Sequence, residues 1–330
     1  MKKINNKILL AVFLILAILA IIMIVVDNRK GERSFREELF RIDSAAVTNI
    51  TIHPKGMKSE TIDLIKTGRT WEVKAGNRSY PADTMTVQRI LQSLARVKAE
   101  RVAATGRDGW KGLEMTDSLS TRVVVSQGKD VTADFRVGKI SFNRNAMSGY
   151  GGNQNVDVKS HIRVADDEKV YVVDGYLSMM FRDQPSAYRN RMVFRFNKAD
   201  LAKLTFVYPG DSSFQLVKSG SRWLVNDKPA DSAKVENWLN SIANCTSSDF
   251  ADEKMQPVVF PFTCRIEGNN MKTIEVKGAC EESSKSYFII STFNTSATFG
   301  GPNAYLFNQL FPGKLKFAVT KDAPKKGKKK

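Results

Sequence analysis

The residues that could carry acid–base or nucleophilic chemistry are few and scattered. The sequence has 330 residues and only two histidines, His53 and His161. A histidine activates a nucleophile only when a Ser, Cys or carboxylate partner lies within reach, and neither histidine belongs to such a motif. His53 ends one predicted strand and His161 begins another, so we predict that both occupy strand edges. A Gly-x-Ser-x-Gly elbow, a Walker loop and a His-Glu-x-x-His helix are absent, and no catalytic residue is assigned.

The cysteine spacing does not indicate a metal or redox centre. Cys245, Cys264 and Cys280 lie in the second half of the chain, and no pair has Cys-x-x-Cys spacing. We predict that all three are small buried apolar residues. In an exported protein, one disulfide with a third free thiol is the alternative. No cofactor-binding or metal-binding residue is assigned.

Three further features could hold a ligand, and each also has a structural interpretation. The Gly-rich residues 149–153 could cradle an anion, but they do not open a helix as a phosphate loop does, so we predict a flexible connection. Asp166-Asp167-Glu168 could bind a cation, although acidic hairpin tips are commonly just solvated. Trp71 and Trp223 could stack on a sugar, but their place in alternating apolar segments predicts core packing.

The net charge of +17 is concentrated at the two ends of the chain. Residues 1–36 carry seven Lys or Arg against two acids, and residues 320–330 carry six Lys against one Asp. The remaining body has 38 basic and 31 acidic residues without a dense basic stripe. It therefore lacks the electrostatic signature of a nucleic-acid-binding protein.

The N-terminal region has the pattern of a membrane anchor. Residues 8–26 form an uninterrupted apolar run behind Lys2, Lys3 and Lys7. As a helix this run spans about 28 Å, close to the hydrocarbon thickness of a bilayer. It is longer than a typical signal-peptide core and lacks an Ala-x-Ala-like cleavage site. We predict a cytoplasmic tail at 1–7, a retained transmembrane helix at 8–26 and a linker at 27–38. The protein is then single-pass in the inner membrane, with its N-terminus inside and its body on the periplasmic side.

The body contains an internal repeat. Phe40-Arg41-Ile42-Asp43 reappears as Phe194-Arg195-Phe196-Asn197, and three alternating segments follow in each copy. Both copies then read Pro-Ala-Asp, where Asp83 and Asp231 are placed to cap a helix. The apolar positions after each cap have the i, i+3, i+4, i+7 spacing of an amphipathic helix: Val87, Ile90, Leu91 and Leu94 in one copy, and Val235, Trp238, Leu239 and Ile242 in the other. Each unit is thus predicted to be a β-meander packed on one helix.

A second kind of segment follows each copy. Residues 120–181 predict two β-hairpins separated by a long polar loop at 141–160, and residues 262–311 look like their counterpart. In the counterpart, strands are predicted at 263–266, 274–276, 287–290 and 305–307. The predicted fold is α+β with an A–B–A–B plan, one repeat pair at 39–182 and the other at 183–318. A Lys-rich disordered tail is predicted at 319–330.

This order of elements resembles the bacterial domain-of-unknown-function family numbered 4340. The resemblance rests on the anchor and on short motifs in sequence order: Val47 to Ile52, Thr70-Trp71-Glu72-Val73, Pro-Ala-Asp with its helix, Phe135-Arg136-Val137-Gly138-Lys139, and Lys169 to Val173. It implies an envelope protein, some of whose relatives are encoded near ABC-transporter components of the gliding-motility type. It implies no reaction and no catalytic residue.

These observations favour a non-enzymatic, membrane-anchored accessory or scaffold protein attached to an ABC-transporter-type or other envelope complex. The alternative is a module that binds an anionic cell-envelope polymer or lipid through its basic regions. A cryptic hydrolase is the third hypothesis. An apolar surface would favour the scaffold, a cleft lined by exposed aromatics and Arg would favour the polymer, and a buried carboxylate pair would favour the enzyme.

Overall fold

The computed structural model describes residues 15–18, 35–56, 60–143, 157–252, 257–281 and 285–319. The chain divides into two compact units, one ending at Pro185 and the other beginning at Ser186. No helix within these ranges has both the length and the apolar character needed to cross a membrane. Of the predicted span at 8–26, only the helical residues 15–18 are described. The rest of that span, residues 1–7, 27–34 and 320–330 lie outside the described residues.

The first unit is one antiparallel sheet of ten strands with a helix inserted after the fifth. The sheet order is β1-β6-β10-β9-β8-β7-β2-β3-β4-β5. The elements are β1 (Glu38–Arg41), β2 (Asn49–His53), β3 (Ile62–Thr67), β4 (Thr70–Ala75), β5 (Arg78–Pro81), α1 (Thr84–Leu94), β6 (Arg96–Ala104), β7 (Thr121–Gln127), β8 (Asp130–Asn143), β9 (Asp157–Val164), β10 (Val170–Asp174) and α2 (Leu177–Met180).

The second unit builds an eight-stranded antiparallel sheet in the order β15-β14-β13-β12-β17-β18-β19-β20, and a separate pair β11-β16. Its elements are β11 (Met192–Arg195), β12 (Leu201–Val207), β13 (Phe214–Ser219), β14 (Arg222–Val225), β15 (Lys228–Pro229), α3 (Ser232–Ile242), β16 (Asn244–Thr246), β17 (Phe262–Gly268), β18 (Ile274–Glu281), β19 (Ser286–Ser291), β20 (Asn294–Gly301) and α4 (Tyr305–Leu310).

The two units repeat the same strand order, which confirms the α+β class and the internal repeat. Trp71 on β4 and Trp223 on β14 occupy equivalent positions and are both buried. Asp83 accepts a hydrogen bond from the Thr86 backbone N–H, and Asp231 accepts one from Lys234, each at 3.1 Å. Both carboxylates therefore cap their helices as predicted. The apolar positions predicted on α1 and α3 are all buried.

The units differ where the sixth strand of each repeat meets the last hairpin. In the first unit, β6 pairs with β1 at its start and then with β10 from Ala99 to Ala104. In the second unit, β16 pairs only with β11, and the chain meets β20 again only at the Phe250–Phe299 bridge. The sheet of the second unit is thus interrupted at this point.

Three details of the sequence prediction are corrected. The predicted strand at 305–307 is the start of α4, because Phe307 and Leu310 are buried at helical spacing after the turn at Pro302-Asn303. The strand is instead β20, which contains Asn, Ala and two Gly, residues that are depleted in strands. The polar loop predicted at 141–160 is shorter, because β8 extends to Asn143 and β9 begins at Asp157; residues 144–156 lie outside the described residues. Each meander also gains a short fourth strand, β5 or β15.

Replacing Trp223 with Ala should lower the free energy of unfolding by about 3–5 kcal/mol, the usual penalty for truncating a buried aromatic ring. Trp223 is 2% exposed, and its indole N–H donates to Glu236 at 2.9 Å. Trp71→Ala should behave alike. Tyr305→Ala is the control, since this side chain is 72% exposed. Denaturant titrations measure these changes. Equal losses of unfolding free energy in Trp223→Ala and Tyr305→Ala would contradict the assignment of Trp223 to the core.

Candidate functional site

Three arginines face one another across neighbouring strands of the first unit. In the register of the sheet, Arg122 on β7 lies opposite Arg136 on β8, and Arg136 lies opposite Arg163 on β9. We call these three residues the arginine row. Their sequence neighbours Val123, Phe135 and Ile162 are buried in the core, so the row lies on the other face of the sheet. Like charges opposite each other destabilise a sheet. The arginine row therefore requires negatively charged partners.

Two members of the row have well-placed acidic partners. Arg122 donates to both carboxylate oxygens of Asp134, with Nε to Oδ1 at 2.9 Å. Arg136 contacts Asp117 Oδ1 at 2.9 Å and donates to the Ser120 hydroxyl at 3.2 Å. Asp117 and Ser120 belong to the segment 105–120 between β6 and β7. This segment therefore lies against the outer face of the sheet and neutralises part of its charge.

Arg163 is the buried and least compensated member of the row. It is 7% exposed, and its guanidinium carbon lies 4.0 Å from the centroid of the Trp110 ring. Its only described carboxylate neighbour in ion-pair range is Asp117, at 3.9 Å, and its Nε has no described hydrogen-bond acceptor. Burial first, and then the charge of Arg136, lowers the pKa of the Arg163 guanidinium. A buried donor without an acceptor costs stability.

Trp110 links the row to the acidic hairpin tip. Its indole N–H donates to the backbone oxygen of Glu168 at 2.9 Å, and the Glu168 carboxylate accepts from Arg107 at the same distance. Asp167 accepts from the Lys169 backbone N–H and from the Tyr171 hydroxyl. The carboxylates of Asp167 and Glu168 are thus engaged by neighbouring groups. Among the described residues, no group of three or more His, Cys, Asp or Glu could hold a metal ion.

His161 lies inside β9 and is not the first residue of a strand, which corrects the sequence prediction. The strand begins four residues earlier because β9 continues to pair with β8 beyond a bulge between Val137 and Ile140. His161 is 4% exposed, and its Nδ1 lies 2.8 Å from the Lys139 backbone oxygen. Since that oxygen can only accept, Nδ1 donates and Nε2 is the unprotonated nitrogen of the neutral ring. Burial, reinforced by the charges of Arg101 and Lys139, lowers the pKa of His161.

The bulge requires a glycine at position 138, within the motif Phe135 to Lys139. A Cβ atom at this position would lie 2.5 Å from the Leu113 backbone oxygen and 2.7 Å from that of Glu114. The Lys139 backbone N–H donates to the same Leu113 oxygen at 3.0 Å. Only glycine permits this close approach, which fixes the segment 105–120 against β8 and aims the Lys139 carbonyl at His161.

A cleft of about 390 Å³ opens beside His161. Lys159, His161 and Arg163 alternate along β9, so the cleft lies on the same face as the arginine row. Lys159 donates to Glu100 and Asp174, whereas the Arg101 side chain is exposed and has no described ion pair. The Phe142 ring is 55% exposed. The lining residues are Glu100, Arg101, Ser141, Phe142, Lys159, His161 and Val172.

The second unit lacks this cationic face, although it builds the same sheet. Thr263, Lys277 and Ile290 form the equivalent cross-strand row on β17, β18 and β19. Phe288 takes the place of His161, and no bulge separates β18 from β19. Lys277 is paired with Glu275 at 3.1 Å. The fold itself therefore does not require arginines at these positions.

Of the remaining described residues named from the sequence, only His53 adjoins this site. It ends β2 directly opposite Arg122 in the register of the sheet, and its Nδ1 contacts the Thr61 hydroxyl at 3.2 Å. Trp71 and Trp223 are core residues, as predicted. Residues 149–153 lie outside the described part of the chain.

The three cysteines are free, and the prediction that all are buried is wrong for Cys280. Cys245 and Cys264 are buried, whereas Cys280 is exposed near the end of β18. Burial raises the pKa of the Cys245 thiol to about 12 and raises that of Cys264 as well. Both buried thiols are therefore protonated and unsuited to nucleophilic chemistry at neutral pH.

The arginine row was missed because cross-strand register cannot be read from a local pattern. A local signal did exist: Lys159, His161 and Arg163 alternate with Val158, Ser160 and Ile162. Polar positions of period two that are all basic indicate a charged strand face. The body's mild net charge concealed this local concentration.

Comparison with known proteins yields a family but no characterised relative. A sequence model of the family described as Domain of unknown function (DUF4340) matches residues 71–258, more than half of the chain. The match includes the arginine row and the cleft beside His161. No curated protein and no solved structure matches the chain.

Protonation of His161 should destabilise the fold. Because the folded-state pKa of His161 is lowered below the usual value of about 6.5, the unfolded chain binds more protons as the pH falls. The contribution of neutral His161 to the free energy of unfolding is complete above pH 6.5, and it is lost as the pH falls through the folded-state pKa. Between pH 7.5 and 5, wild type should therefore lose more unfolding free energy than His161→Gln, by at most about 1.4 kcal/mol per pH unit.

Denaturant titrations at a series of pH values measure this difference. Between pH 7.5 and 9 the stability curves of wild type and His161→Gln should run parallel, because His161 stays neutral in both the folded and the unfolded chain. Parallel curves below pH 6.5 as well would show that His161 is not held neutral by burial.

Proposed function

The chain belongs to the family described as Domain of unknown function (DUF4340), and we propose that its body is a non-catalytic module that binds an anionic polymer of the cell envelope. The binding surface in this proposal is the outer face of the first unit, made by the arginine row and the adjoining cleft. Of the three hypotheses drawn from the sequence, this one has the closest structural support, because the cleft combines an exposed aromatic ring with cationic side chains.

A single observation carries the proposal: Arg163 is a buried cation that the fold does not need. Its equivalent in the second unit is Ile290, in a sheet of the same strand order. A buried, incompletely paired charge is destabilising relative to an apolar residue of similar size. Features that reduce stability without serving the fold commonly serve binding or catalysis.

Asp117 indicates the chemistry of the ligand. Its carboxylate contacts both Arg136 and Arg163, at 2.9 and 3.9 Å, yet its side chain is 81% exposed. An exposed carboxylate contributes little stability and exchanges readily with solvent. A phosphate or carboxylate of a ligand can take its place, because the planar guanidinium group binds both of these anions with two parallel hydrogen bonds.

The perturbed carboxylates support a non-catalytic role. Three described carboxylates have shifted pKa values, and all three are lowered. The causes are the Arg41 guanidinium at Glu38, the Trp223 indole N–H at Glu236 and the Arg265 guanidinium at Glu275. A hydrolase that uses carboxylates needs a general acid with a raised pKa, and these side chains have the opposite property.

The location of the module is part of the same proposal. Residues 8–26 are proposed to anchor the protein as a single span in the inner membrane, with the body on the periplasmic side. The basic residues at 29–36 and 321–330 are proposed to lie near anionic headgroups, where each Lys or Arg contributes about 1 kcal/mol. The support is the uninterrupted apolar run and the concentration of charge at the chain ends.

An accessory role in an ABC-transporter-type or other envelope complex is the second proposal. An open groove of about 610 Å³ in the second unit favours it, because apolar atoms form most of its accessible lining. Its apolar lining residues are Phe196, Met271, Ile274 and Phe293, and the Phe293 ring is partly exposed. Exposed apolar surface is a property of protein interaction sites.

Replacing Arg163 with Met should separate binding from stability. Met fills similar volume and packs favourably against Trp110, so the free energy of unfolding should stay equal or rise. Binding of fluorescent polyphosphate or polygalacturonate should weaken at least tenfold, since loss of a charged partner costs about 2 kcal/mol or more. Fluorescence anisotropy at two salt concentrations measures this.

Two further variants make the test specific. Asp117→Asn should strengthen binding, because it removes the carboxylate that competes for Arg136 and Arg163. Arg265→Met in the second unit removes an arginine paired with Glu275 at 2.9 Å and should leave affinity unchanged. Equal affinity of wild type and Arg163→Met for both polymers would refute the proposed surface.

The proposed anchor predicts that the mature protein retains its N-terminus. N-terminal sequencing should find Met1 or Lys2, and protease added to intact spheroplasts should digest the body. A mature chain beginning near Asp27, or full protection of the body until lysis, would contradict the anchor or its orientation.

A further inference from the structure

We infer that the second unit has a binding pocket for an uncharged sugar ring, located where its sheet is interrupted. This inference is independent of the anion-binding surface proposed for the first unit. The pocket has a volume of about 290 Å³, just below the range of about 300–1,000 Å³ that accommodates drug-sized ligands. It therefore has room for one small ring, such as a monosaccharide unit.

The pocket exists because β16 separates from β20. In the first unit, the corresponding strand β6 stays paired with β10 from Ala99 to Ala104. In the second unit, the β11–β16 register ends at Thr246, and the chain continues without regular secondary structure through Ser247 and Ser248. It returns to β20 at Asp249, whose backbone oxygen accepts from Gly300 at 2.9 Å. The second unit therefore pairs these two segments over fewer residues than the first unit, and the pocket lies beside them.

One wall of the pocket consists of bare backbone at Gly300. This residue has φ of +137°, and a Cβ atom would lie 1.8 Å from the Tyr287 backbone oxygen. Only glycine is compatible with this conformation and this contact. Gly300 therefore lets β20 lie close to β19, and it contributes only backbone atoms to the pocket wall.

Two tyrosines provide apolar surface for the C–H face of a sugar ring. The Tyr287 ring is held against Phe307, with their centroids 5.0 Å apart. Tyr305 begins α4 and projects into solvent, and the Asn303 side chain accepts a hydrogen bond from its backbone N–H at 2.9 Å. A single exposed tyrosine is unremarkable on a protein surface. Here, however, it stands beside a second tyrosine at the rim of a polar pocket.

The polar groups of the pocket suit hydroxyl groups better than a charge. The lining contains one cation and one anion, Arg191 and Asp249. Gln309 is fixed because its Nε2 donates to the Ser241 backbone oxygen at 2.9 Å, which leaves its amide oxygen as an acceptor. No described residue forms an ion pair with Asp249. The remaining polar lining residues are Thr246, Ser247, Ser248, Tyr287, Asn303 and Tyr305.

This set combines donors, acceptors and aromatic faces without net charge, whereas the cleft of the first unit is lined by Arg101, Lys159 and Glu100. A sugar hydroxyl both donates and accepts hydrogen bonds, and its ring carbons present an apolar face. The carboxylate of Asp249 and the amide oxygen of Gln309 match two hydroxyl donors. A ligand with a phosphate or carboxylate would face the repulsion of Asp249.

Saturation-transfer NMR on the full-length protein tests this inference. The protein is kept in a detergent without a sugar headgroup, and methyl glycosides of glucose, galactose, mannose and N-acetylglucosamine are titrated. At least one should bind saturably through its ring protons. Tyr305→Ala and Asp249→Asn should each weaken that binding at least tenfold, and Ser248→Trp should block the pocket and abolish it.

Matched controls separate the pocket from other surfaces. Tyr176→Ala removes a half-exposed tyrosine of the first unit, and Arg163→Met removes the buried arginine; neither should change glycoside affinity. Thermal unfolding checks that each variant is folded. Absence of saturable binding by all four glycosides, or binding that both Tyr305→Ala and Asp249→Asn leave intact, would overturn the inference.

Discussion

The antiparallel pairing of β7, β8 and β9 places Arg122, Arg136 and Arg163 side by side, and the outer face of the first unit is organised around this contact. Three neighbouring cations on one sheet face are unstable without counter-charges. Asp134 on β8 compensates Arg122, and the segment 105–120 supplies Asp117 for Arg136 and Arg163. This segment must therefore lie on the sheet. Gly138 allows that segment to approach β8 without a clash. The bulge beside Gly138 turns the Lys139 carbonyl toward His161, and burial lowers the pKa of the imidazole. One cross-strand register thus explains the loop position, the glycine and the histidine tautomer.

The internal repeat separates what the fold requires from what this surface adds. Both units share the meander, the Asp-capped helix and the buried Trp. The second unit achieves this with Thr263, Lys277 and Ile290 in place of the arginines, and it interrupts the sheet where the first unit is continuous. Conversely, the polar pocket of the second unit lies where β16 leaves β20, whereas β6 stays paired with β10 from Ala99 to Ala104. Divergence between the copies is therefore located at surfaces and edges, where it costs the core little.

Local patterns in the sequence were sufficient to predict the first three meander strands and the capped helix of each repeat. The caps at Asp83 and Asp231 and the apolar faces of α1 and α3 follow from spacing within a dozen residues. Strand β20 could not be predicted this way, because Asn294 to Gly301 gains its strand conformation from pairing with β19. The interior position of His161 likewise depends on pairing beyond a bulge. The arginine row depends on the register of three strands and on a loop 40 or more residues from Arg163 in sequence, so residues distant in the chain had to be brought together before it was visible.

The most direct measurement is an NMR titration of the arginine Nε–Hε signals with polyphosphate, in the full-length protein. Arg163→Lys and Arg265→Lys variants assign the two signals of interest. If the arginine row binds anions, the Arg163 signal should shift saturably, because its Nε has no described acceptor in the free protein. The Arg265 signal, whose guanidinium is paired with Glu275, should not move, and the Asp117→Asn variant should saturate at lower polyphosphate concentration. A titration in which Arg163 stays unchanged while arginines of the second unit shift would contradict the assignment of the anion-binding surface.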